Sequence, residues 1–184
     1  MDSRYDVRLA GVGCQGLVLA GMILAEAAAI YDGKNAVQTQ SYGAETRGGP
    51  SMSDVIISQE EIDYPKVLAP NLLLAMAQEA YNKYGPGVQK DAIIVVDSAH
   101  VTQVSEGRVY SVPITAIARE FTGKTFTASI AALGLLVGLT GLVSAQAIRS
   151  AVASRAPKGT EELNLKALAA GLAAAEKLKQ GESL

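Results

Sequence analysis

Cysteine and histidine are almost missing from this chain, with one of each among 184 residues. A single cysteine cannot close an internal disulfide, which suits a reducing cytoplasm. So sparse a set of ligands also excludes any ordinary zinc or iron–sulfur site. An excess of either charge is missing too. Sixteen Lys and Arg against eighteen Asp and Glu leave a net charge of -2 and a pI near 5.5. No broad basic surface is therefore expected to attract nucleic acid or anionic lipid. The first residues, Met1 to Asp6, lack an apolar h-region, so no signal peptide is expected. Ala128 to Val143 is almost wholly apolar, yet it falls short of the roughly 18 to 20 residues of a spanning helix. Gly134 and Gly138, at small-xxx-small spacing, instead predict a buried helix in tight contact with another element. No membrane partner is expected. The pattern G-x-x-x-x-G-K-[ST] is also absent, which argues against an ATPase. There is no internal repeat and no interdomain linker, so residues 1–184 read as one domain with residues 180–184 as a frayed tail.

What is present alternates between strand and helix patterns. Strands are expected over Tyr5–Ala10, Lys34–Gln40, Asp54–Ser58, Asn71–Ala75, Asp91–Asp97 and Arg108–Val112. The Ile93-Ile94-Val95-Val96 run is that of a strand buried on both faces. Helices are expected over Leu17–Tyr31, stopped near Gly33, and over Gln78–Tyr84, stopped by Gly85-Pro86-Gly87. Beyond Pro113 the chain reads as helical: Ile114–Phe121, the apolar helix from about Thr127, Ser144–Ser154 with Ser144 as its N-cap, and an amphipathic Glu161–Lys179. This order predicts an α/β fold: a single domain with a mostly parallel sheet flanked by helices and a helical C-terminal third.

Two glycine-containing stretches stand out. Gly11, Gly13 and Gly16 fit G-x-G-x-x-G between a strand and a helix, where glycines permit a tight turn and a helix N-terminus offers N–H groups to an anion. The same turn could serve only to pack helix on sheet. A dinucleotide reading needs an acid at the end of the second strand, but that strand ends in Thr39-Gln40-Ser41 and Asp32 precedes it. Cys14 lies in this turn, where a helix N-terminus could activate a thiol. With His100 far away in sequence, packing is its plainer role. The second stretch, Thr39 to Ser51, carries Gly43, Gly48 and Gly49 with Glu45 and Arg47. It reads as too long and too polar for a hairpin turn, and such a loop is usually functional.

Together, Gly11-Val12-Gly13-Cys14-Gln15-Gly16 and Gln40-Ser41-Tyr42-Gly43-Ala44-Glu45-Thr46-Arg47-Gly48-Gly49-Pro50-Ser51 resemble the gamma subunit of 2-oxoacid:ferredoxin oxidoreductases. Ser53–Ser58, Ala75–Ala80, Ala132-Leu133-Gly134, Thr140–Val143 and Asn164-Leu165 extend the resemblance over most of the chain. Cys14 departs from the second consecutive glycine usual in the family turn, and Ala44 and Met52 stand where proline and a basic residue are common. The resemblance implies one subunit of an enzyme that oxidatively decarboxylates a 2-oxoacid, passes electrons to ferredoxin and releases an acyl-CoA. The wording around Ser51–Val55 and Ile62–Pro65 is most like the 2-oxoglutarate members, which form succinyl-CoA.

Such a chain works in the cytoplasm with alpha, beta and delta-type subunits. The resemblance implies that those partners carry thiamine diphosphate, Mg and iron–sulfur clusters, and that this chain binds no cofactor alone and has no catalytic residue of its own. Its expected role is to help position CoA. The residues implied for CoA or for a subunit interface are Gly11, Gly13, Cys14, Gln15, Gly16, Ser41, Tyr42, Gly43, Glu45, Arg47, Gly48 and Gly49. Arg47 could hold a phosphate with its planar fork, or pair with Glu45 to brace the loop against a partner. A purely structural subunit and a free-standing NAD-dependent enzyme are the alternatives.

Overall fold

The computed structural model describes residues 4–13, 15–41, 50–105 and 108–182. Six strands form one sheet: β1 (Arg4–Val12), β2 (Asn35–Ser41), β3 (Pro50–Ser58), β4 (Leu72–Ala75), β5 (Ile93–Asp97) and β6 (Val109–Val112). Their spatial order is β2-β3-β1-β4-β5-β6. The pairings β1–β4, β4–β5 and β5–β6 are parallel, whereas β3 runs antiparallel to both β1 and β2. Only β3 is therefore reversed, and the sheet is mostly parallel as the sequence suggests.

Among the described residues the α-helices are α1 (Leu17–Glu26), α2 (Gln78–Tyr84), α3 (Ile114–Thr122), α4 (Ala128–Thr140), α5 (Ala145–Arg155) and α6 (Glu161–Lys179). Alternation along β1 separates the two faces of the sheet. Val7 and Leu9 join the main core with residues of α1, α4, α5 and α6. Ala10 points to the other face, with Leu73 of β4 and Ala80 of α2. Val95 and Val96 are both fully buried, so β5 is covered on both sides. Helix α4 is buried all round from Ala128 to Val137. Its glycines explain the close approach of α6. A methyl group on Gly134 would strike the Leu168 carbonyl, one on Gly138 the Ala175 side chain, and one on Gly171 the Ala131 carbonyl. The apolar run is thus a buried helix, and among the described residues no helix is long and apolar enough to cross a membrane.

Helix α1 ends in a wider π turn, Ala27–Tyr31, where Asp32 donates its backbone N–H to the Ala27 carbonyl (3.1 Å) before Gly33 turns the chain at φ 64°. Asp32 then accepts from both the backbone N–H and the hydroxyl of Ser144, each at 2.7 Å. Ser144 in turn accepts from Ala147 N–H at 3.0 Å, so it caps α5 as expected.

One reading is corrected. The stretch after Gln40 is not too long for a hairpin, because β2 and β3 are antiparallel neighbours, with Ser41 opposite Met52 and Asn35 opposite Ser58. Thr39, Gln40, Ser41, Pro50 and Ser51 are strand residues. Polar residues hid the strand: Ser51, Ser53 and Asp54 are all buried in it. Ser53 occupies the space beside Gly21 of α1, and Asp54 pairs with Arg8 directly opposite. That ion pair is bidentate, at 2.8 and 2.7 Å, and Arg8 also donates to the Val67 carbonyl at 3.0 Å. Hydrogen bonding to Asp54 outweighs burial and raises the pKa of Arg8. Arg4 donates to the Tyr64 and Lys66 carbonyls, so the two arginines tie the irregular segment before β4 across β1.

Candidate functional site

Parallel strands deliver their carboxyl ends to one edge of the molecule. Ligands bind in open α/β sheets where neighbouring connections diverge at that edge. Here the divergence lies between β1, whose crossover through α1 leads outward to β2, and β4, which leads toward β5 and β6. A cavity of about 250 Å³ opens at this edge. Each of the four strands supplies one wall residue just past its end: Gln15, Met76, His100 and Thr115. Thr125, Phe126 and Ala128, leading into α4, close the side.

The turn after β1 is held by Gln15. Its backbone N–H donates to the Val12 carbonyl at 3.1 Å, and its Oε1 accepts from the Val12 N–H at 2.8 Å. Its Nε2 donates to the Met76 carbonyl at 2.9 Å, which ties the ends of β1 and β4 together. The three glycines of this turn have different jobs. A methyl group on Gly11 would overlap Gln15 Oε1 and lie 2.7 Å from Leu17 Cδ1, so Gly11 makes room for the glutamine. Gly16 takes φ 72° as it caps α1, and a methyl group there would lie 3.1 Å from Ser129 Oγ of α4. Gly13 is exposed and outside the left-handed region, and no described atom lies within 4 Å of its missing Cβ. Its openness is the only one of the three that internal packing leaves unexplained.

The opposite wall is built on Asp97, fully buried at the end of β5. Its Oδ1 accepts from the Ala99 N–H at 3.2 Å and the Thr115 N–H at 3.4 Å, and its Oδ2 takes a short bond from the Thr115 hydroxyl. Its carbonyl accepts from the backbone N–H groups of His100 and Val101 at 3.0 and 2.8 Å. Asp97 therefore fixes both loops that carry His100 and Thr115. The third wall is set by Thr127, fully buried, whose hydroxyl lies 2.9 Å from that of Thr122 and donates to the Lys124 carbonyl at 3.0 Å. With Thr127 held inward, Phe126 projects outward and is 59% exposed. Phe126 thus forms part of the cavity rim.

Of the residues singled out in the sequence, Gly11, Gly13, Gln15 and Gly16 lie together at this edge. Ser41 is exposed at the end of β2. Cys14, Tyr42, Gly43, Glu45, Arg47, Gly48 and Gly49 lie outside the described residues. The strand register brings Pro50 and Ser51, the end of the second stretch, beside the first, because Pro50 pairs with Val12 and Ser51 with Gly11. Sequence reasoning missed Met76, Thr115, Thr125 and Phe126, and treated His100 as structural. Their common signal is position: Met76, His100 and Thr115 follow the ends of predicted strands. The NAD alternative meets a topological obstacle, since β3 separates β2 from β1, whereas the dinucleotide fold sets them side by side.

Fold and site together define an α/β domain with an open cleft at the switch point of a mostly parallel sheet. The family model for pyruvate ferredoxin/flavodoxin oxidoreductase (POR) matches residues 6–174, and the chain belongs to that family. It is 45% identical over 179 residues to 2-oxoglutarate synthase subunit KorC of Methanocaldococcus jannaschii, covering 95% of this chain and 96% of the relative. The crystal structure of the gamma subunit of keto/oxoacid ferredoxin oxidoreductase from Geobacter sulfurreducens PCA is 45% identical, with a TM-score of 0.86 over 94% of this chain and 97% of that one. A 2-oxoglutarate:ferredoxin oxidoreductase from Magnetococcus marinus, solved with 2-oxoglutarate, coenzyme A and succinyl-CoA bound, shares the fold. Its TM-score is 0.85 at 21% identity, and this chain spans 33% of it.

Proposed function

We propose that this chain is the gamma subunit of a 2-oxoglutarate:ferredoxin oxidoreductase and that its cleft edge helps position CoA. The subunit assignment follows the full-length similarity to 2-oxoglutarate synthase subunits. The observation that carries the CoA reading is the pairing of Pro50 and Ser51 with Val12 and Gly11 at the edge that holds the cavity. There Gly13 leaves open backbone, and Arg47 precedes by three residues in sequence the Pro50 that pairs with Val12. Arg47 is the natural phosphate partner for CoA, while Gly48 and Gly49 permit close approach.

Thiamine diphosphate, Mg and the iron–sulfur clusters belong to the alpha, beta and delta-type chains in this reading. One cysteine and one histidine give this chain no ligand set for a cluster. The 2-oxoacid reacts on the partner chains, ferredoxin receives the electrons there, and this chain orients the acceptor thiol in the cytoplasm. Reconstitution of the complex with and without this chain tests the proposal. Ferredoxin reduction that depends on 2-oxoglutarate and CoA should require it. Full activity and an unchanged CoA KM without it refute the proposal. A purely structural role is the second reading, favoured by the exposed Phe121 on α3 and Phe126 just before α4. Arg47→Ala separates the two: a raised CoA KM in an intact complex supports positioning, and lost assembly supports the scaffold.

A further inference from the structure

We propose that residues 59–71, at the end of the sheet remote from the cleft, form a rigid docking surface for a partner subunit whose contacting face is basic around an apolar pocket. This rests on the subunit reading above and gives the subunit contact a place in the fold.

Shape is the first argument. Residues 59–71 join β3 to β4 without helix or strand. They leave Ser58, which pairs with Arg4 at the start of β1, and arrive at Leu72, the first residue of β4. Connections of that length are usually either functional or without a fixed shape. This one is fixed, because side chains of other elements hold its carbonyls. Asn35, at the start of β2, donates to the Gln59 and Glu60 carbonyls at 3.4 and 3.0 Å. Arg4 donates to those of Tyr64 and Lys66 at 2.8 and 2.9 Å, and the buried Arg8 to that of Val67 at 3.0 Å. Gln89, ahead of β5, holds the Ala69 carbonyl at 3.1 Å. A segment held in this way loses little conformational freedom when a partner covers it.

What the segment presents is the second argument. Val67 is buried and the carbonyls on both sides of Leu68 are held, so Leu68 is fixed outward, 75% exposed. Tyr64, 49% exposed, stands on the same segment. Around them Glu60, Glu61 and Asp63 are exposed, and none of the three pairs with a cation among the described residues. Lys66 is the only cation of the segment. Three carboxylates against one ammonium favour a basic facing surface and repel an anionic lipid or a nucleic acid. A projecting leucine needs a concave apolar seat, which a second protein supplies. The relatives of this chain are themselves named as subunits, so that protein is a fellow subunit of the oxidoreductase.

The test mixes the purified chain with the remaining subunits of its oxidoreductase, prepared without it, and follows their association. Leu68→Asp should weaken association by well over tenfold, given the worth of a buried leucine. If its urea midpoint falls below that of the wild-type chain, Leu68→Ala serves, with a loss of roughly tenfold. Changing Glu60, Glu61 and Asp63 together to lysine should slow association and flatten its dependence on salt. Phe121→Asp, on an exposed residue of α3, should stay within about twofold of wild type. Association unchanged by both Leu68 variants overturns the proposal, and so does association lost to Phe121→Asp alone. A dimer of the isolated chain that Leu68→Asp disperses gives the surface to a second copy and also overturns it. A wild-type chain that fails to associate at all overturns the subunit reading as well.

Discussion

Gly11 and Gly13 belong to one short motif, and the structure gives their substitution by alanine opposite signs. A methyl group on Gly11 lands on Gln15 Oε1 and 2.7 Å from Leu17 Cδ1. The glutamine must leave, and two hydrogen bonds leave with it: Val12 N–H to Oε1 and Nε2 to the Met76 carbonyl. At about 1 kcal/mol for each bond, and a further 1 kcal/mol or so for crowding Leu17, the gross loss is about 3 kcal/mol. Lower unfolded-state entropy returns about 0.4–1 kcal/mol, so the net cost is roughly 2–3 kcal/mol. For a chain of this size that lowers Tm by roughly 4–12 °C. Gly13→Ala meets no described atom and needs no left-handed backbone, so it gains the same 0.4–1 kcal/mol or so without a loss. Paired urea titrations of the purified subunit, followed by far-UV circular dichroism, read both. A Gly11→Ala protein within about 0.5 kcal/mol of wild type refutes the role given to Gln15, since that is the scatter of neutral surface changes.

Three further outcomes follow from the packing and electrostatics. Gly171→Ala drives a methyl group into the Ala131 carbonyl and to 2.8 Å from Leu135 N, backbone atoms that cannot turn aside. It should cost about 1–3 kcal/mol or more in denaturation, against little change for an exposed helical control. Asp54→Asn leaves the buried Arg8 guanidinium without its countercharge and should cost about 3–5 kcal/mol in the same assay. Burial raises the pKa of the Tyr5 phenol, so the unfolded chain loses that proton first as pH rises. Its contribution is complete below the unfolded value of about 10 and is lost as pH climbs through the folded value. Denaturation midpoints measured from about pH 9 to 11 should fall, and Tyr5→Phe should flatten part of that fall.

Much of the fold was legible because periodicity and stop signals agreed. Gln78–Tyr84 and Glu161–Lys179 are helices over the predicted residues, and Ser144 caps α5 as its type and place suggest. The apolar run of α4 announced burial, and Gly134 and Gly138 announced a close neighbour, but only tertiary structure names α6 and its Gly171. The reversed β3 was half legible: Asp54–Ser58 read as a strand, whereas Pro50–Ser53 looked like polar loop because the buried Ser53 accepts from Gln38 and packs beside Gly21. The site was half legible. G-x-G-x-Q-G marked one wall, where Gly11 makes room for Gln15. The other walls come from connections that periodicity cannot bring together. Asp97 shows why: a buried acid at a strand end looks ordinary until Thr115, eighteen residues on, is seen to bind it.

Hydrogen exchange on the assembled oxidoreductase, with and without saturating CoA, tests the central claim most directly. CoA should slow exchange in this chain at the backbone amides of residues 12–17, 98–101, 114–116 and 124–129, the connections that meet at the cavity. Unchanged exchange in those four segments, with protection confined to other surfaces of this chain or to the partner subunits, would contradict the account.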